Sequence, residues 1–184
     1  MDSDDISPSL LKAGSEYLAA LKRLHLDPEG LLWSRVNETR DIDDAQGYSL
    51  PGDYPNGDWH LVLITSAIDE SGPLAMQEML FKAYNLSATP QAISPFIVEV
   101  MSSRSPFHAG LLQALNTDVP LIFGGRTDGR ARIVADTVGQ PVMVHGLWFD
   151  RQWIYQLRGL VPAKNSDRRR QWLDFRQSVN ALAA

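Results

Sequence analysis

The stretch WHLVLITSAIDESGP, residues 59–73, decides the fold. His60, Val62, Ile64, Ser66 and Ile68 alternate with Leu61, Leu63, Thr65 and Ala67, and both sets are mainly apolar. Period-two alternation sends the two sets to opposite faces of a strand, and two apolar faces mark a strand covered on both sides. A helix accommodates this run poorly, because Val, Ile and Thr lose rotamer freedom there. Ser71 reads as an N-cap ahead of Pro73, whose missing N–H costs nothing in a first turn. The chain is therefore expected to pass from a central strand over 59–68 into a helix that reaches about Tyr84 and stops at Asn85.

That helix carries Leu74, Met76, Met79, Leu80, Phe81, Ala83 and Tyr84 around most of its circumference, leaving Gln77, Glu78 and Lys82 for water. A helix so broadly apolar is either deeply buried or touches a partner as well as its own sheet, and the core is the expected place. Phe96–Met101 is the next strand. Its long, helical link to Ile68 implies a parallel, right-handed βαβ unit. Ser105-Pro106 opens another helix, which reaches about Leu115 and holds His108 in its first turn.

Upstream, residues 1–6 read as a tail, and Ser7 caps a helix from Pro8 to about Leu24. Its apolar stripe runs through Leu10, Leu11, Leu18, Leu21 and Leu24. Lys22, Arg23 and His25 lie at its end, where cations favour the helix dipole. Pro28 and Gly30 break the helix before Leu31–Val36, a short strand or packed turn. Asn37–Asp58 is a long irregular segment with acids at Glu38, Asp41, Asp43, Asp44, Asp53 and Asp58. A calcium loop starting at Asp41 requires Gly at its sixth position and Glu at its twelfth. Gln46 and Gly52 stand there instead, so the motif fails.

Downstream the rhythm changes to short strands and tight turns. Val119–Phe123 and Ala131–Thr137 flank Asp128-Gly129, a hairpin signal. Val142–Phe149 and Gln152–Leu160 are expected to form a hairpin closed at Asp150-Arg151, with Trp148 opposite Trp153 and Gly146 opposite Tyr155. A final helix follows Asn165-Ser166, with Trp172, Phe175, Val179 and Leu182 on one side. The fold expected is α+β: a mixed sheet with one parallel βαβ crossover and an antiparallel C-terminal meander, packed by three to four helices. No repeat or low-complexity linker divides it, so residues 7–184 form one domain. The strand-turn-helix ending, residues 142–184, resembles PsbP-like domains; no specific motif accompanies it and no function is carried over.

Composition narrows the function classes. Apolar residues make up 44% and charged residues 21%, which is globular rather than disordered. No apolar run approaches the ~18 residues of a membrane span, so a membrane partner is not expected. The acidic start, Met1 to Asp5, lacks the basic and apolar regions of a signal peptide, which points to the cytoplasm. With no cysteine, disulfides, thiolate catalysis and Cys-ligated metals are excluded. The net charge of −5 conceals a polarity, with residues 1–100 at net −10 and residues 101–184 at net +5. Either the second half meets an acidic partner or the two halves pair internally, and internal mixing is the favoured reading.

Three candidate sites stand out. Asp69 and Glu70 lie at the end of the central strand, where ligands of open α/β sheets gather. Two carboxylates there could hold a cation or serve as a general base, or could simply favour a helix dipole. Arg168, Arg169 and Arg170 open the last helix against its dipole, with Arg158 and Lys164 nearby and Arg126, Arg130 and Arg132 able to join them. Such a cluster could bind a partner's acids, although pairing within the chain is slightly favoured. Trp148, Trp153 and Tyr155 would be hot spots if exposed, but their face is expected in the core.

Catalytic templates are missing: no Gly-x-Ser-x-Gly, no His-Glu-x-x-His and no phosphate loop. The histidines, at 25, 60, 108 and 145, lack metal-ligand spacing. No catalytic residue, metal ligand or cofactor is therefore assigned. The leading expectation is a non-enzymatic interaction protein (adaptor, chaperone-like or inhibitor) that binds another protein or a second copy of itself. The alternative is a small hydrolase or metal-assisted enzyme built on Asp69 and Glu70. A weaker third reading, anion or nucleic-acid binding by the arginines, sits poorly with a pI of about 5.3 and no recognition motif.

Overall fold

The structure is a computed structural model that describes residues 6–36, 59–116, 142–145, 147–159 and 164–183. The acidic segment Asn37–Asp58 and the Asp128-Gly129 hairpin, with Arg126, Arg130 and Arg132, lie outside the described residues.

The chain opens with helix α1, Pro8–Arg23, whose first turn is capped by the Ser7 hydroxyl accepting from the Leu10 amide at 3.3 Å. The α1 stripe then turns at His25, which adopts φ 62°. Strand β1, Gly30–Val36, follows and pairs along its length with antiparallel β2, Trp59–Ile64. Helix α3, Pro73–Asn85, crosses over to β3, Val98–Met101, which lies parallel to β2. The expected βαβ unit is thus present. Beyond it come α4, Pro106–Asn116; β4, Val142–Val144; β5, Leu147–Phe149; β6, Ile154–Leu157; and α5, Asn165–Ala181. The result is an open, mixed, six-stranded sheet in an α+β fold.

The strand expected from Phe96 begins only at Val98, after a 3₁₀ turn over Pro95–Ile97, and three larger details differ from the sequence reading. First, β2 ends at Ile64, and Ile68–Ser71 forms a one-turn helix, α2. The Thr65 amide still donates to the Met101 carbonyl at 2.9 Å, but the Gly72 amide closes a helical turn onto the Ile68 carbonyl. Gly72, with φ 75°, precedes α3 in place of Ser71, because a left-handed residue is needed between two abutting helices. Second, the middle of the sheet is β1 rather than β2, since the order is β3-β2-β1-β5-β4 with β6 also on β1.

Third, β5 and β6 do not pair with each other. Both run antiparallel to β1, β5 beside Arg35 and Val36 and β6 beside Gly30 to Leu32. Between them Asp150 stays extended, and its Oδ1 accepts from the Gln152 amide at 3.0 Å, starting a 3₁₀ turn over Arg151–Trp153. The chain therefore bulges and resumes its course instead of reversing. The reversal comes one strand earlier, between β4 and β5, where Val144 faces Leu147 and His145 takes φ 48°. Trp148 consequently lies opposite Arg35, not Trp153.

The core runs through the sheet and both its flanks. Trp33, Tyr17, Phe149 and Phe175 are the largest fully buried side chains. Trp153 is buried edge-on against Trp59, with ring centroids 4.6 Å apart. α1 is fastened to the sheet by a relay: Trp33 Nε1 donates to the Tyr155 hydroxyl at 2.8 Å, and that hydroxyl donates to the Leu11 carbonyl at 2.7 Å. Burial pushes the Tyr155 phenol up to about 12, against the opposing pull of the Trp33 N–H. α4 is locked by His108, fully buried, whose Nδ1 meets the Ser103 carbonyl at 2.8 Å and whose Nε2 meets the Arg158 carbonyl at 3.0 Å.

Gly14 shows how tightly α1 sits. A Cβ at this position would overlap the Tyr155 ring and hydroxyl, which the relay holds in place. Gly14→Ala should therefore lower stability by about 1–3 kcal/mol despite alanine's better helix propensity. Urea unfolding measures this, and a variant as stable as the parent would refute the close packing.

Candidate functional site

The acidic and basic candidates meet each other. Asp69 and Glu70 sit on α2, and α5 brings Arg168 against them. Arg168 Nη1 lies 3.4 Å from Asp69 Oδ2, and Arg168 Nε lies 4.0 Å from Glu70 Oε1. Arg104 Nε reaches the same Asp69 oxygen at 3.6 Å, and Arg168 Nη2 donates to Asn165 Oδ1. Only 5% of Arg168 is exposed, although it stands in the first turn of a helix, where the dipole opposes it. Carboxylates from α2 and Asp167 in the same turn supply the compensation.

The geometry of this corner limits its chemistry. Arg168 Nε is buried and hydrogen-bonded to nothing, since 4.0 Å to Glu70 is attraction without a hydrogen bond. The contacts are long and do not form a two-pronged fork. Asp69 directs one oxygen at two guanidinium groups, so an incoming cation or substrate proton would have to compete with both. Among the described residues, no group of three or more His, Asp or Glu side chains is placed to hold a metal ion. The corner is built as a clasp between α2 and α5.

The other basic residues disperse. Arg158, just past β6, donates from Nη2 to Asp27 Oδ2 at 2.7 Å, and Lys22 Nζ lies 3.8 Å from the other oxygen of that carboxylate. Gln156 also donates to Asp27, at 3.3 Å. Partial burial pulls the Asp27 carboxyl upward, but the Arg158 and Gln156 hydrogen bonds and the charges of Arg158 and Lys22 outweigh it and leave the pKa lowered. Arg170 pairs along its own helix with Asp174 at 3.6 Å. Arg169 and Lys164 are exposed. The aromatic candidates are likewise engaged: Trp153 is buried, while Trp148 and Tyr155 are half-buried.

Among the described residues, the two most exposed large apolar side chains lie elsewhere, along the outer side of α3. Leu74 and Phe96 are each 74% exposed, and Leu86, at the helix end, is 38% exposed. Phe96 stands on the 3₁₀ turn Pro95–Ile97 and meets Phe81 edge-on, centroids 4.8 Å apart. Gln77 Nε2 donates to the Pro95 carbonyl at 2.9 Å and holds that turn against the helix. Leu74, Gln77, Glu78, Phe81, Lys82, Asn85 and Leu86 line a groove of about 560 Å³, and Phe96 stands beside it against Phe81. The inner side of the same helix buries Met76, Leu80 and Ala83. α3 thus covers the sheet with one side and leaves large apolar side chains open on the other. The signal for this site was in the helix's all-round apolar composition, but Phe96 was hidden within a run read as a regular strand.

No protein-family model matches the chain, and none of the curated proteins or solved structures compared with it is significantly similar.

Two measurements follow from the charge pairs. Asp69→Ala leaves the buried Arg168 guanidinium short of its main partner and should cost about 3 kcal/mol, whereas Asp69→Ala combined with Arg168→Met should cost clearly less. Additive losses in denaturant melts would show that the clasp is not a coupled pair. For Asp27, a folded pKa below the unfolded one stabilises the fold above the unfolded value, about 4, and this is lost as pH falls through the folded value. Asp27→Asn should therefore lower stability near neutrality and flatten the acid limb of the stability curve. A variant whose acid limb is as steep as the parent's would refute that assignment.

Proposed function

We propose that the chain is a non-enzymatic protein-interaction module, of the adaptor, chaperone-like or inhibitor kind, acting in the cytoplasm through the outer side of α3. The carrying observation is the pair Leu74 and Phe96, each 74% exposed: Leu74 lines the groove, and Phe96 stacks edge-on against Phe81 of its lining. Scattered exposed apolar residues are ordinary, but large ones gathered beside a groove with a polar rim mark surfaces that bind. An edge-on aromatic pair at such a surface is the kind of rigid anchor that dominates binding energy.

The competing surfaces support this choice. Asp69 and Glu70 are engaged by Arg104 and Arg168, which leaves neither of these two placed as an unencumbered base. Nucleic acid fits the arginines poorly, because Arg158, Arg168 and Arg170 each lie beside an acid of this chain. Among the described residues, no helix is long and apolar enough to cross a membrane.

A photo-crosslinking side chain installed at position 74 or 96, with a control on α1 at Glu16, tests the proposal in native lysate. The control is chosen because Glu16 is exposed and lies on a different helix. Discrete adducts at 74 and 96 that are absent at 16 are expected. Identical adduct patterns at all three positions, or no adduct at any, would sink the idea.

A further inference from the structure

Two pairs of groove residues on α3 are symmetric about Leu80, a leucine at each end and, nearer the centre, charges of opposite sign. Leu74 stands six residues before Leu80 and Leu86 six after it; Glu78 stands two before and Lys82 two after. At 3.6 residues per turn, Leu74, Glu78, Phe81, Lys82 and Asn85 share one side of the helix, and Leu86 closes its end. All of them line the same groove. Leu80 itself points the other way, into the core.

We propose that the occupant of this groove is a second copy of the chain, whose α3 docks antiparallel across a two-fold axis level with Leu80. This rests on the reading of α3 as a binding surface and names its partner. A two-fold axis there carries Glu78 of each copy to Lys82 of the other, making two symmetric ion pairs. It carries Leu74 to Leu86 at both ends and brings the two Phe81 rings together near the middle. Two-fold interfaces are isologous, so a surface must complement itself, and opposite charges equidistant from the axis meet that condition.

Among the described residues, neither of the charges involved meets an opposite charge. Glu78 forms no ion pair among the described residues. Lys82 Nζ donates to Asn180 Oδ1 at 2.8 Å, a neutral acceptor that fixes the ammonium at the groove rim. An ammonium has three donors, so two remain for a carboxylate. Antiparallel helices also place opposite dipole ends side by side. With 13 residues the helix is about 20 Å long, which alone provides less contact than a standard interface of ~800 Å² per partner. Phe96 widens the contact, and the association is expected in the micromolar range, on the order of 1–100 μM.

Sedimentation velocity of the full-length chain across a concentration series tests this. A reversible monomer–dimer equilibrium is expected. Glu78→Lys alone and Lys82→Glu alone should each weaken it by about tenfold or more, because like charges then face each other twice. Mixing these two single variants should restore a dimer, since every lysine of one then faces a glutamate of the other. Phe81→Glu should abolish association. Circular dichroism melts confirm that each variant is folded; should Phe81→Glu unfold, the charge variants and their mixture decide alone. A parent that stays monomeric at the highest soluble concentration overturns the proposal, as does a dimer indifferent to both charge reversals. If the parent is monomeric while position 74 still crosslinks a different protein, the second copy is wrong and the interaction reading stands.

Discussion

The fold depends on one strand being paired along both edges. β1 has antiparallel β2 on one side and the interrupted β5–β6 line on the other. A buried strand can leave few backbone groups without partners, because each orphaned N–H or C=O costs about as much as a lost hydrogen bond. Leu31, Leu32, Trp33 and Ser34 are all fully buried, so both edges of β1 must be served. Everything else hangs on this. β2 carries the crossover to β3, while β6 carries Tyr155, which ties α1 to Trp33. A bulge where β1 would meet β5 and β6 is tolerated, since Asp150 satisfies the turn locally with its own side chain.

How legible this was in the sequence varies with how local the determinants are. The Ser7-Pro8 start of α1, the crossover from β2 to β3 and the helix from Asn165 depend on caps, periodicity and connection length, all of which a sequence displays. The centrality of β1 is a non-local property. Its seven residues are apolar enough for any strand, and nothing in them announces two partners. Asp150-Arg151 was misread as a reversal because an aspartate beside a polar residue serves a turn and a bulge equally well. The reversal follows Val144 instead, where His145 takes a positive φ that a histidine does not announce. At Ile68 the strand pattern ran on for four residues after the sheet had ended. There the helical turn of α2 is stabilised by α5, which no pattern within residues 59–73 encodes.

The candidate sites were legible as residue types but not as relations. Asp69 and Glu70 stood out as unpaired acids and Arg168 as a misplaced cation, and the structure makes each the other's counterpart. A cation at a helix N-terminus was the physical clue, because such placement requires nearby carboxylates. The arginines did not remain a cluster. Neighbours on a helix diverge by about 100° per residue, so Arg168 turns into the protein while Arg169 faces solvent.

While Arg168 and its carboxylates fasten α5 to α2, the outer side of α3 keeps Leu74 open and stands beside an equally open Phe96. The crossover geometry requires an apolar inner side there, and Met76, Leu80 and Ala83 provide it. Nothing in that requirement reaches Leu74, Phe81 or Phe96. Polar residues at these positions would preserve the βαβ unit and improve solubility, since exposed apolar area is hydrated at a free-energy cost. Phe96 is further constrained, because Gln77 holds its 3₁₀ turn against α3 and keeps its ring beside Phe81. An exposed Phe96 ring, kept against half-buried Phe81 by a turn that a side-chain hydrogen bond fixes, is organised beyond anything folding demands. That surplus of order at an apolar surface is what separates the α3 groove from the acidic corner, where Asp69 and Glu70 already face the guanidinium groups of Arg104 and Arg168.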